Sequence, residues 1–237
     1  MPKPEKPADA PGQQPDSALR ADAERNRERI LDAARRLFGT EGLEVSMASV
    51  AREACVGKAT LSRRFDTRED LINAVFVDRM GDYAGSAAEA LADPDPWRGF
   101  TRHIERICAM QAADRGFAAV LTQAFPTARN LEARRAESYR DFQELIRRAK
   151  ATGHLRDDFV ADDVIVLLMA NAGVIAAAGD AAPDTWRRLT GQMLRAFAAP
   201  GAPLPPLPPP PTTKSLYRAM TRYGRPSPEP GTTGSTS

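Results

Sequence analysis

Residues 46–71 read SMASVAREACVGKATLSRRFDTREDL, and this stretch decides how the rest of the chain is arranged. It holds two short helical patterns a few residues apart. The first begins at Ser46 and carries Val50, Ala51 and Ala54 as its apolar positions. The second begins near Gly57 and carries Ala59, Leu61 and Phe65. Two helices this short, joined by a tight turn, cannot cover their own apolar faces, so a third helix must lie across them. The preceding residues supply it: Ile30, Leu31, Ala34, Leu37 and Phe38 recur at helical spacing within residues 22–38. Such a trio, with a polar and cationic second helix, is the helix-turn-helix arrangement that fits a DNA major groove.

Leu61 and Phe65 lie four apart and share one face of their helix. That leaves Lys58, Ala59, Thr60, Ser62, Arg63 and Arg64 toward the outside, with no acid before Asp66. Arginine grips guanine O6 and N7 with two parallel hydrogen bonds, and lysine does so or holds a phosphate. Ser46 and Thr67 open the flanking helices, where a hydroxyl and the free backbone N–H groups can clamp a phosphate. Arg68 extends the cationic rim. By charge alone this is also the composition of an ordinary solvated face; the surrounding pattern favours the groove.

Composition narrows the remaining classes. The 237 residues suffice for one or two domains with a proper core, and 42% hydrophobic with only 6% aromatic residues suits a helical protein. A net charge of +2 is too small to argue for nucleic acid unless the charges are concentrated. Cys55 and Cys108 fall in different predicted helices and form neither a disulfide framework nor a CxxC metal site. The first residues, MPKPEKPADAPGQQPD, lack the apolar core of a secretory signal. No apolar run approaches the roughly 18 residues that span a bilayer. The expectation is a cytoplasmic chain with no membrane partner, metal or cofactor. HExxH, GxSxG, P-loop and GxGxxG patterns are absent, and His103 and His154 have no evident nucleophile or metal partner, so an enzyme is not expected.

Along the chain, residues 1–18 are Pro-rich and polar and read as a disordered arm. Thr67 followed by Asp70 resembles a capping box, opening a long helix through Leu71, Ala74, Val75, Val77 and Met80 toward Leu91. Residues 93–96, DPDP, break it. Further helices carry Trp97 to Gln111, Gly116 to Ala124, Leu131 to Ala149, a strongly apolar run over residues 164–178, and a last one with Trp186, Leu189, Met193, Leu194 and Phe197. The sum is an all-α chain of about nine helices. Residues 199–237 change character. LPPLPPPP is polyproline and Lys214–Tyr223 is one nascent helix, so this tail reads as disordered, with a docking or anionic-surface element as the alternative.

The helix ending Leu37-Phe38-Gly39, the Glu41-Gly42 bend, Val50-Ala51, Gly57-Lys58-Ala59-Thr60-Leu61, Phe65 and Thr67-Arg68-Glu69-Asp70-Leu71 together resemble the N-terminal domain of TetR-family transcriptional regulators. The resemblance implies a DNA-binding helix-turn-helix domain over residues 19–66 and a helical ligand-binding and dimerisation domain over 67–198. In that family the position matching Ser62 is usually a tyrosine touching a phosphate, so serine shortens the reach and shifts weight to Arg63 and Arg64.

The resemblance also implies a homodimer, an operator of duplex DNA, and a largely apolar effector. Val164, Leu168, Val174, Leu189, Met193 and Phe197 are the expected twofold interface, a four-helix bundle from the last two helices. Phe100, His103, Ile107, Met110, Phe117, Leu121, Gln123, Tyr139, Phe142 and Asn171 are the expected cavity lining, although each would serve equally as core. The function so implied is a repressor released from a palindromic operator by a small molecule. A ligand-independent structural DNA binder, or an activator with the same DNA chemistry, is the alternative.

Overall fold

The structure, a computed structural model, describes residues 14–223. Ten α-helices account for it: α1 (Gln14–Glu41), α2 (Met47–Glu53), α3 (Lys58–Ser62), α4 (Arg68–Leu91), α5 (Pro96–Ala113), α6 (Arg115–Thr122), α7 (Arg129–Ala151), α8 (Asp162–Ala178), α9 (Thr185–Phe197) and α10 (Thr213–Tyr223). Among the described residues the only β pairing is an isolated bridge between Leu155 and Ala198. The all-helical expectation holds. One helix more than expected comes from the tail, and α1 begins at Gln14, inside the stretch read as a disordered arm; residues 1–13 lie outside the described residues.

Local chemistry sets the boundaries. Thr67 Oγ1 accepts from the Asp70 N–H while Asp70 accepts from the Thr67 N–H, the reciprocal box read in the sequence. Asp95 accepts from the N–H groups of Trp97 and Arg98 at 3.0 and 3.1 Å, with Pro96 in the first turn, where its missing donor costs nothing. Asp114 closes α5 and caps α6 by accepting from Phe117 N–H.

The core has two apolar clusters. One joins Ile30, Phe38, Val50 and Leu61 of the first three helices, and Phe65 just after them, to Leu71 and Phe76 of α4 and to Phe117 and Val120 of α6. The helix-turn-helix therefore shares its core with the body, and the 66/67 boundary passes through that cluster. Phe76 lies between Phe38 and Phe117, with ring centroids 6.1 and 6.3 Å away. The second cluster gathers Trp97, Phe100, Ile104, Phe142, Leu145, Leu167, Trp186 and Leu194 from α5, α7, α8 and α9.

Helices α4 and α5 meet closely at Gly99, where an added Cβ would stand 2.4 Å from the Ala90 carbonyl oxygen. A backbone oxygen cannot rotate away, so Gly99→Ala is expected to destabilise the fold by about 2 kcal/mol, read from the urea midpoint at unchanged slope.

The tail differs from its expectation. Residues 200–212 run as an extended strap over α5 and α9. Polyproline carries acceptors and no N–H donors, and the donors come from elsewhere: Trp97 Nε1 to Pro203 O at 2.6 Å, Arg195 Nη1 to Pro205 O at 3.3 Å, and Arg188 Nη1 to Pro208 O at 2.6 Å. Gly191 leaves room for it, since a Cβ there would stand 2.9 Å from both Leu207 and Pro208. Thr212 then caps α10 by accepting from Ser215 N–H, and Ala219 is buried where α10 rests on α8. Residues 224–237 lie outside the described residues.

The segment Asp162–Ala181, with mean hydropathy 1.9, is long and apolar enough to cross a membrane by length and composition, contrary to the sequence reading. In the fold it packs against α5, α6, α9 and α10. Only 28% of it is buried within the chain, and Ile165, Val166 and Met169 stay open.

Candidate nucleic-acid interface and ligand cavity

The turn between α2 and α3 is built on Cys55, whose φ of +53° is left-handed without being glycine. Ala54 N–H donates to Val50 O, Cys55 N–H to Arg52 O and Val56 N–H to Ala51 O at 2.9–3.1 Å, which forces the reversal. Gly57 has an ordinary φ of −67° and starts α3 without a side-chain cap. Buried Leu61 and Phe65 then fix the orientation of α3.

On its outer side Lys58, Ala59, Ser62, Arg63 and Arg64 are exposed and Thr60 is half-buried. Helix α3 is shorter than the two turns expected: it ends at Ser62, Arg63 is its C-cap, and Arg64 follows on the way out. Among the described residues the cations of Lys58, Arg63 and Arg64 have no hydrogen-bond or ion-pair partner. Ser46 accepts from Ser49 N–H at 3.0 Å and Thr67 is held in its box, so both hydroxyls act as caps. Arg68 departs from its expected place on the rim. Its guanidinium turns back to donate to the carbonyls of Leu43 and Val45, the latter at 2.8 Å, and ties the start of α4 to the α1–α2 loop.

The second feature is a cavity of about 270 Å³ between α4, α6, α7 and α8. Leu121, Gln123, Tyr139 and Phe142 line it, as expected from the sequence. Phe100, Ile107 and Phe117 do not; they are fully buried core. Met110 packs against the first cluster. Asn171 is buried with its Nδ2 donating to Gln111 Oε1 at 2.9 Å and to Cys108 O at 3.3 Å, while Gln111 donates to Leu168 O at 3.2 Å. Val164 and Leu168, assigned from sequence to the interface, line the cavity instead.

Other lining residues escaped the sequence reading, Tyr83 and Arg135 among them. Tyr83 comes from the middle of α4, and burial pushes its phenol pKa up. Arg135 looks like a surface cation of α7, yet its guanidinium donates to the carbonyls of Val120 at 2.7 Å and Gln123 at 3.0 Å and so caps the end of α6. The cavity is thus apolar on the α8 side and polar where α6 meets α7.

His103 lies elsewhere, with Nδ1 2.9 Å from Ser86 Oγ. Burial lowers its pKa from 6.5 to about 4. The folded state therefore rejects a proton that the unfolded chain accepts. The stabilisation is complete above about pH 6.5 and is lost as pH falls toward 4, by an amount on the order of 2–3 kcal/mol. Urea unfolding between pH 7 and 4 is expected to show that slope, and His103→Gln to remove most of it.

Of the other interface candidates, Val174, Leu189 and Met193 are half-buried, and Phe197 is buried edge-on against Phe159 at 4.9 Å. The exposed apolar residues of α8 are instead Ile165, Val166 and Met169, at 42%, 64% and 54% exposure. Among the described residues no group of three His, Cys, Asp or Glu side chains is placed to hold a metal.

Residues 30–75 match the family model described as bacterial regulatory proteins, tetR family, and residues 95–195 match that of the SbtR-like transcriptional regulator C-terminal domain. An HTH-type transcriptional regulator of Staphylococcus aureus (strain USA300) is 44% identical over 54 residues, 22% of this chain and 29% of that protein, so the matched stretch spans under a third of such curated relatives. A TetR transcription regulatory protein from Mycobacterium vanbaalenii is 27% identical, covering 76% of this chain and 99% of that one, with a TM-score of 0.45. A gamma-butyrolactone receptor, described as ArpA-like, shares the fold at 17% identity over 84% of this chain and 95% of that one, with a TM-score of 0.50.

Proposed function

Because the chain belongs to the tetR family of bacterial regulatory proteins, we propose that it is a ligand-responsive, sequence-specific repressor. In this reading a homodimer holds a palindromic operator through α3 and releases it when a small, largely apolar molecule enters the cavity between α4, α6, α7 and α8. Lys58, Arg63 and Arg64 read bases or hold phosphates, and the first turns of α2 and α4 clamp the backbone through their free N–H groups.

The observation that carries the reading is the continuity of α4. At its start Arg68 grips the loop that positions α2. Glu69 beside it accepts from Thr127, and Asn73 Oδ1 further on accepts from Leu131 N–H at 3.2 Å, which fastens α4 to α7 and to the loop before it. Further along, Tyr83 forms a wall of the cavity. A ligand that moves Tyr83 moves the same rod that sets the angle of the reading head. A coupling of about 1–3 kcal/mol per site changes operator occupancy markedly.

Two measurements test it. Selection of binding sites from random duplex DNA is expected to return a palindrome whose half-sites are a whole number of helical turns apart. Once an effector is found, its affinity for the free dimer is expected to exceed that for the operator complex; equal affinities would end the release mechanism.

A further inference from the structure

We infer that α10 is an interface helix that one protomer lends to its twofold mate, where its cations meet the acidic start of the partner's α8; this rests on the homodimer proposed above. Helix α10 sits at the C-terminal end of α8, facing Val174, Ala177 and Ala178 across a narrow apolar groove. It does not finish the burial of that surface. Leu216, Tyr217 and Met220 remain 38%, 68% and 71% exposed, beside the open α8 face of Ile165, Val166 and Met169. Six large apolar side chains left exposed on two helices that pack together mark an interaction site.

The charges select the occupant. Helix α8 begins with Asp162 and Asp163 and has no basic residue in its last turn. Asp162 is exposed and has no partner among the described residues. On α10, Lys214 and Arg218 are likewise exposed and without a partner among the described residues. A parallel pairing of two α8 helices would bring both acidic starts together. An antiparallel pairing opposes the helix dipoles and sets acidic start against C-terminal end. With the twofold axis near Ala170, the α10 that rides on one C-terminal end lies beside the partner's Asp162, Ile165 and Val166. One surface is then complementary to itself, as an isologous interface requires. Met220 and Tyr217 cover the partner's Ile165 and Val166, and Lys214 and Arg218 face the partner's Asp162. The strap over Gly191 delivers α10 to that position.

Sedimentation equilibrium of the full chain tests this, with circular dichroism confirming that each variant is folded. Met220→Glu and Val166→Glu change exposed side chains and are expected to weaken the dimer by about tenfold or more with an unchanged circular dichroism spectrum. Arg218→Glu is expected to weaken it several-fold, and adding Asp162→Arg to restore it. A wild-type chain that stays monomeric at every concentration defeats the homodimer itself. A tight dimer indifferent to Met220→Glu defeats the role of α10 alone. Weakening without rescue by the charge exchange defeats the antiparallel arrangement. Cosedimentation with anionic phosphatidylserine vesicles, lost in Met220→Glu while self-association is untouched, gives the face to a lipid surface and overturns the inference.

Discussion

A variant with Lys58, Arg63 and Arg64 all changed to alanine is expected to lose operator binding by about 4 kcal/mol or more, near a thousandfold, because each well-placed bidentate base contact is worth about 1–3 kcal/mol. These three cations are exposed and free of partners among the described residues, so the substitution removes no internal contact and stability is expected to hold within about 0.5 kcal/mol. The single variants divide the roles. Arg63→Ala that weakens operator and random duplex equally marks a phosphate contact; a loss confined to the operator marks base reading. The salt dependence separates them a second way, since each phosphate contact removed lowers the slope of log K against log salt by about one. Fluorescence anisotropy on the selected operator and on a scrambled duplex reads both. Unaltered binding by the triple variant would show that α3 does not read this DNA.

Phe76→Ala is expected to cost about 3–5 kcal/mol, the largest single-residue effect on stability in the chain. Phe76 is buried between Phe38 of α1 and Phe117 of α6, and it comes from the helix that links reading head and body. The cavity it leaves cannot close easily, because Gly116 already brings α6 against α1: a Cβ there would stand 2.7 Å from Phe76 and 2.8 Å from the Phe38 carbonyl oxygen. Urea unfolding measures the loss. Phe76→Leu, which keeps most of the volume, is expected to lose less than half as much. The ratio matters for regulation as well as for folding. A head loosened from the body would bind DNA and ligand independently, so any Phe76→Ala protein still folded at low temperature should show less ligand-dependent release.

The helix-turn-helix was legible because its signals are local. Ser46, Thr67 and Asp70 cap within three residues, and Leu61 with Phe65 mark a buried face by spacing alone. What escaped depended on partners far along the chain. Arg68 clasps carbonyls 23 and 25 residues away, and nothing in its neighbours distinguishes that role from a rim cation. The strap looked disordered because polyproline makes no contacts of its own; its donors, Trp97, Arg188 and Arg195, lie on other helices. Helix α8 presented the hardest case. Its apolar residues circle the axis, so spacing could not say that Val164 and Leu168 turn inward while Val166 and Met169 turn out. The cavity followed suit, because a void is a property of four helices together.

The Asn171–Gln111 amide pair bears on that ambiguity. An apolar rod gains nearly the same burial at several rotations about its long axis, so hydrophobicity alone leaves its phase loosely determined. One buried amide whose acceptors, Gln111 Oε1 and Cys108 O, both lie on α5 gives that rotation a unique setting, as a key does in its slot. If the pair is removed, α8 is expected to remain helical and packed on the body yet sample more than one azimuth. The walls of the cavity and the outer face of the molecule would then blur at the same time, coupling two surfaces that meet at Ile165.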